Sequence, residues 1–157
     1  MSRYIDTMSR DELVTEYLLA TREAMRFGDA PEGWRADYER GLASLERLLA
    51  IDPDDVRLLT AHAEMGADWF LDLYNLHDRR LFDEVERRVP FAECLAERIG
   101  EGGGLAARSA LSEFWKFRGF CAGDRREKLA LYRQALAFHP ANDNVRNLIA
   151  DLGGDDE

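Results

Sequence analysis

Apolar residues in this chain recur at three- and four-residue steps almost from end to end, and few stretches alternate apolar and polar residues at period two. Such a stripe buries itself only on an α-helix, where residues i, i+3, i+4 and i+7 share a face. Leu13, Tyr17, Ala20, Ala24 and Phe27 form the first stripe, widened by Val14, Leu18 and Met25. Tyr38, Leu42, Leu45 and Leu49 form the second. In the third, Val56, Leu59, Ala63, Gly66, Phe70 and Leu73 share one face while Met65, Trp69 and Leu76 lie along another. A helix apolar on two sides is expected to be sandwiched between neighbours. Leu81, Val85, Val89, Ala92, Ala96 and Ile99 continue the pattern, then the aromatic-rich segment 105–121, then Leu129, Tyr132, Ala135 and Leu136.

The breaks between stripes are as regular as the stripes. Ser9 with Glu12 makes a capping box that opens a helix running to about Phe27. Gly28 to Gly33 is a turn cluster, and Asp52-Pro53 stops the second helix because the residue before proline leaves the helical region. Asp54 or Asp55 caps the third helix, which runs to about Leu76, and His77-Asp78 breaks it. Pro90 should kink or split the fourth. Gly100-Glu101-Gly102-Gly103-Gly104 is a flexible joint by composition, and Gly123-Asp124 and His139-Pro140 bound the sixth helix. The expected fold is all-α, about seven helices in one domain. The pairs span about 9–53, 54–99 and 105–140, followed by a terminal capping helix at about 142–152 and an acidic tail, 153–157.

Composition narrows the partners. The formal charge of −10 argues against nucleic acid and anionic membranes, since phosphate binding needs clustered Lys and Arg. The arginines are instead interleaved with acids, as in residues 78–88 (DRRLFDEVERR), the pattern of a solvated helix face with i,i+4 pairs. Cys94 and Cys121 make no metal-type spacing and no disulfide framework, so a reducing cytoplasm is the expected compartment. The N-terminal residues have no signal-peptide core, and no apolar run reaches membrane-spanning length.

Residues 123–143 (GDRREKLALYRQALAFHPAND) resemble the second half of a tetratricopeptide repeat. There a Gly-Asp turn leads into a helix with an aromatic, a small residue and a closing proline, roles that fall on Gly123-Asp124, Tyr132, Ala135 and Pro140. A second copy lies in 38–55 (YERGLASLERLLAIDPDD), with Gly41 at the small position, Leu45 at the aromatic one and Pro53 closing. Departures are specific: Lys128 stands where the family prefers Ala, and Leu48 replaces the small residue matched by Ala135. The first-helix places for Trp, Leu-Gly and Tyr fall on Ser112, Trp115-Lys116 and Gly119. The middle pair is longer than the family's ~34-residue period and lacks both Gly-Asp and the closing Pro.

This resemblance implies a short right-handed helical-repeat array that acts as a non-catalytic scaffold or adaptor, holding another protein or peptide on a concave face lined by the first helix of each pair. The inward places carried over from the family are Arg22 and Arg26, then Arg57, Glu64 and Asp68, then Glu113, Phe117 and Phe120. The Lys/Asn set that clamps a C-terminal carboxylate is absent, so a chaperone-tail receptor is not implied. Exposure of Phe117 or Phe120 would mark an interface, because aromatics concentrate at binding hot spots.

The acidity supports an alternative, an inhibitor or immunity-type protein that blocks a basic partner site, and a homo-oligomer stays open. No cofactor or metal is implied: Glu64, Asp68 and Asp72 share a face, but the Glu-x-x-His pairs of a helical-bundle metal site are absent. No nucleotide loop, nucleophile elbow or Cys/His arrangement is present. An enzyme would be signalled by a buried cluster of two or more acids with a His.

Overall fold

A computed structural model of the chain describes residues 7–26, 31–100 and 103–153, and side chains over 7–20, 37–100 and 103–153. These residues form seven helices: α1 (Arg10–Arg26), α2 (Pro31–Ile51), α3 (Val56–Asn75), α4 (Leu81–Ile99), α5 (Leu105–Cys121), α6 (Arg125–Phe138) and α7 (Asp143–Asp151). No strand occurs among the described residues. Helices α1 and α2, α3 and α4, and α5 and α6 pack as antiparallel hairpins, and α7 lies against α6. The first hairpin joins the second through α2 on α3, and the second joins the third through α3 and α4 on α5. Helix α3 is therefore enclosed by α2, α4 and α5, the setting its two apolar faces require.

The helix starts follow the local chemistry. Ser9 and Glu12 form the reciprocal box, with Glu12 Oε1 accepting from Ser9 N at 2.9 Å and Ser9 Oγ from Glu12 N at 3.3 Å. Asp55 caps α3, its Oδ1 accepting from the backbone N–H of Arg57 and Leu58 at 2.9 and 3.2 Å. Asp124 caps α6 and Asn142 caps α7 in the same manner. Two local expectations differ. Pro31 to Gly33 are helical rather than part of the turn, since proline at the first helical position loses no bond there; Phe27 to Ala30 lie outside the described residues. Helix α4 also runs unbroken through Pro90. Pro90 is exposed and leaves the Glu86 carbonyl without its N–H partner, yet the expected split does not occur. In the glycine joint, Gly100 ends α4 at φ 56° and Gly104 precedes α5; 101 and 102 lie outside the described residues.

The helix ends are closed by cations from neighbouring helices. Lys128 of α6 donates through Nζ to the carbonyls of Gly119 and Phe120 at the end of α5, at 2.9 and 3.2 Å. In return, Arg108 of α5 donates to the carbonyls of Phe138 and Ala137 at the end of α6, at 2.8 and 2.9 Å. Arg125, at the start of α6, holds the Leu152 and Gly153 carbonyls beyond α7 at 2.8 and 3.0 Å. Neither α6 nor α7 has a basic residue in its own last turn, so these tertiary donors meet the unpaired carbonyls and the negative dipole end.

The core runs through all three hairpins. Leu13, Leu42, Leu45, Leu48 and Leu59 are fully buried toward the first, and Trp69, Phe70, Leu73, Leu95, Phe114 and Phe117 toward the others. An aromatic series links α3 to α5 and α6: Phe70 to Phe114 at 5.3 Å, Phe70 to Phe117 at 5.8 Å, Phe117 to Phe120 at 5.3 Å and Phe120 to Tyr132 at 6.3 Å between centroids. Among the described residues, no helix is long and apolar enough to cross a membrane.

Candidate functional site

Burying two flanks of α3 leaves a third stripe free. Arg57, Glu64, Asp68 and Leu71 are exposed along it, with Asp72 half-buried beside them. Helix α5 packs alongside and presents Ser109 and Glu113 to the same side. Small residues (Ala67, Ala106 and Ala110) hold the two backbones close, so the junction is a shallow trough of about 200 Å³ between acidic walls Glu64, Asp68 and Glu113.

The electrostatics of the trough are those of crowded like charges. Burial, then Glu113, raise the Asp68 carboxyl above its ordinary value; burial, then Asp68, do the same to Glu64. Burial also raises Asp72, against a hydrogen bond from the Tyr38 hydroxyl and with help from Asp68. Glu113 is held at both oxygens: Lys116 Nζ lies 2.9 Å from Oε1 and Asn142 Nδ2 2.8 Å from Oε2. Lys116 is 6% exposed and rests 4.7 Å from the Phe117 ring centroid.

Of the eight residues singled out in the sequence, the structure brings Glu64, Asp68 and Glu113 together on this trough. Arg57 is exposed on the same stripe in the first turn of α3, outside the lining of the trough. Arg22 and Arg26 lie on α1, outside the described side chains. Phe117 is a correction: at 1% exposure it belongs to the core, packed on Phe70 and Phe120, and no partner can reach it. Phe120 is half-buried, its ring tilted against that of the exposed Tyr74 at 4.8 Å, near the C-terminal ends of α5 and α3.

A buried polar network escapes a reading by stripes. Arg88 is 2% exposed, not solvated as its place in an Arg/Glu-rich run suggests. It lies between two carboxylates, with Nε donating to Glu46 Oε2 at 2.9 Å and Nη1 to Glu84 Oε1 at 3.1 Å. Each of those oxygens also meets a ring nitrogen: His62 Nε2 lies 2.8 Å from Glu46 Oε2, and Trp69 Nε1 donates to Glu84 Oε1 at 2.7 Å. The signal was present, because Arg88 falls at the i+3 place after Val85 on the apolar stripe of α4, and His62 lies beside Ala63 on that of α3. Burial works to raise the Glu46 carboxyl, but the His62 bond and the Arg88 and Arg87 charges bring it below its ordinary value. Burial pushes the His62 imidazole down, against the bond to Glu46.

This network has the composition named above as the mark of an enzyme, two acids with a buried histidine. Its geometry ties α2, α3 and α4 together. The charged and ring N–H groups engage one another, and the His62 ring, 1% exposed, packs against Phe91 at 4.5 Å. Glu46, Glu84 and Arg88 also border a cleft of about 290 Å³ between α2 and α4, whose lining does not include His62. Among the described residues, no group of three or more His, Cys, Asp or Glu is arranged to hold a metal ion. Cys121 is half-buried, and burial, then Glu86, push its thiol up to about 11, away from nucleophilic reactivity. Fold and trough together describe an all-helical protein with a preformed acidic surface. Comparison of the chain with protein-family models, curated proteins and solved structures found no match.

Proposed function

We propose that the chain is a divergent tetratricopeptide-like array acting as a non-catalytic interaction module, with the face shared by α3 and α5 as the seat of a partner segment. The supporting observation is the convergence of Glu64, Asp68 and Glu113, residues from two hairpins, on one open trough while the opposite faces of the same helices build the core. Rigid helices hold such a surface in place before the partner arrives, so little ordering entropy is lost on binding. The test is affinity capture from the native host with the wild-type chain and with Glu64→Lys/Asp68→Lys, at low and high salt. A partner retained by the wild type and lost by the variant supports this reading; equal capture by both overturns it.

The −10 charge keeps a second reading in view, an acidic protein that blocks a basic site on its target. That mode spreads the contact over many exposed acids, so binding should fall steeply with salt and change little on altering two residues.

A further inference from the structure

We propose that the trough between α3 and α5 is the anchor site for one basic side chain, arginine or lysine, projecting from a partner polypeptide. The inference rests on the α3/α5 face being the partner surface and goes further by naming the chemistry it accepts. A long basic side chain has two parts, an aliphatic stem that gains from apolar contact and a charged tip that needs acceptors. The trough offers both within about 200 Å³: methyl groups of Ala67, Ala106 and Ala110, and carboxylates of Glu64, Asp68 and Glu113 along the sides.

The three acids are not equivalent. Lys116 and Asn142 hold Glu113 at both oxygens and Lys116 offsets its charge, so it forms a fixed polar wall and the two acids of α3 carry the free charge. Glu64 and Asp68 stand one turn apart on α3, and the neighbouring charges acting on them are carboxylates. No ion pair reaches either of them among the described residues. A cation placed between them relieves repulsion already built into the folded chain, whereas an acidic segment adds to it. An uncharged polar side chain gains the floor but not the walls.

The experiment is an amide NMR titration of the full chain with three short capped peptides, identical but for one central residue: arginine, lysine or citrulline. Citrulline keeps the length and shape of arginine and removes the charge. The arginine and lysine peptides should shift the amides of Ala67, Ala106, Ser109 and Ala110 saturably. Citrulline, and the arginine peptide against Asp68→Asn, should each bind about tenfold more weakly, the loss of one charge-assisted contact. Equal shifts from arginine and citrulline at those amides overturn the anchor while leaving the partner surface standing. Shifts scattered over the acidic exterior and indifferent to Asp68→Asn also overturn it. Failure of the surface itself is read separately, as host-partner capture that survives charge reversal at Glu64 and Asp68.

Discussion

Arg88 occupies a core position on α4 and leaves two carboxylates dependent on it. Removing one member of a buried ionic set costs more than the set contributes as a whole, because the remaining charges keep their desolvation penalty. Arg88→Leu should therefore destabilise the chain by roughly 3–5 kcal/mol, read as a shift of the urea midpoint. Adding Glu46→Gln and Glu84→Gln should recover part of that loss; no recovery would show that the charges are not the cause. His62 gives the same joint a pH dependence. Its folded value lies below that of an ordinary imidazole, so the unfolded chain takes up the proton first. Stability is then held above the ordinary imidazole range and lost as pH falls through it, by at most about 1.4 kcal/mol per pH unit for one proton. Urea titrations from pH 8 to 5 should show this slope in the wild type and a flatter one in His62→Gln.

Among the helices, close packing and end closure decide what the sequence tolerates. A Cβ on Gly119 would lie 2.3 Å from Tyr132 Cε1, against a ring fixed in the core, whereas one on Gly41 would meet the flexible end of Met65 at 2.6 Å. Gly119→Ala should therefore cost roughly 1–3 kcal/mol. Gly41→Ala should cost much less, since Met65 can turn aside and alanine favours the helix by about 1 kcal/mol. Thermal unfolding of the two variants side by side checks the contrast. The end of α3 offers an opposite case. His77 adopts φ 53°, with Asp78 N on the Leu73 carbonyl at 2.9 Å and His77 N on that of Tyr74 at 3.1 Å, the double closure that glycine usually makes. His77→Gly should stabilise by about 0.5–1 kcal/mol through relief of the left-handed strain; an unchanged melting temperature would mean that the histidine ring compensates.

Across the whole molecule, charge and pH pull in two directions. The folded chain gathers acids around the trough, where Glu64, Asp68 and Asp72 are raised above their ordinary values. Raised carboxyls oppose folding above their folded values and cease to do so as pH falls through them, the reverse of the His62 and Glu46 effect. Asp68→Asn should accordingly raise stability at neutral pH, by roughly 0.5 kcal/mol at most for a group this accessible, and measurably less at pH 4. If the variant melts below the wild type at neutral pH, the trough acids are not in mutual repulsion. A stabilising replacement that weakens a partner's binding is the pattern expected where a surface is kept for function against the interest of the fold.

The helices follow from local chemistry along the chain: stripes at three and four residues, Ser9, Asp55, Asp124 and Asn142 at their starts, and Pro53 and Pro140 past their ends, all act within a turn or two. Glu64, Asp68 and Glu113 are inward places implied by the tetratricopeptide resemblance, and the structure brings the three together on one trough. Which charges are buried and which aromatics stay free is settled by packing between helices. Arg88 and Arg87 are neighbours in one charged run, yet one lies between Glu46 and Glu84 while the other faces solvent. Phe117 and Phe120 share a helix, yet the first is sealed by Phe70 from α3 and the second is half-buried beside Tyr74. A local pattern fixes the direction in which a side chain leaves its helix, whereas its burial depends on what another helix, distant in sequence, brings against it.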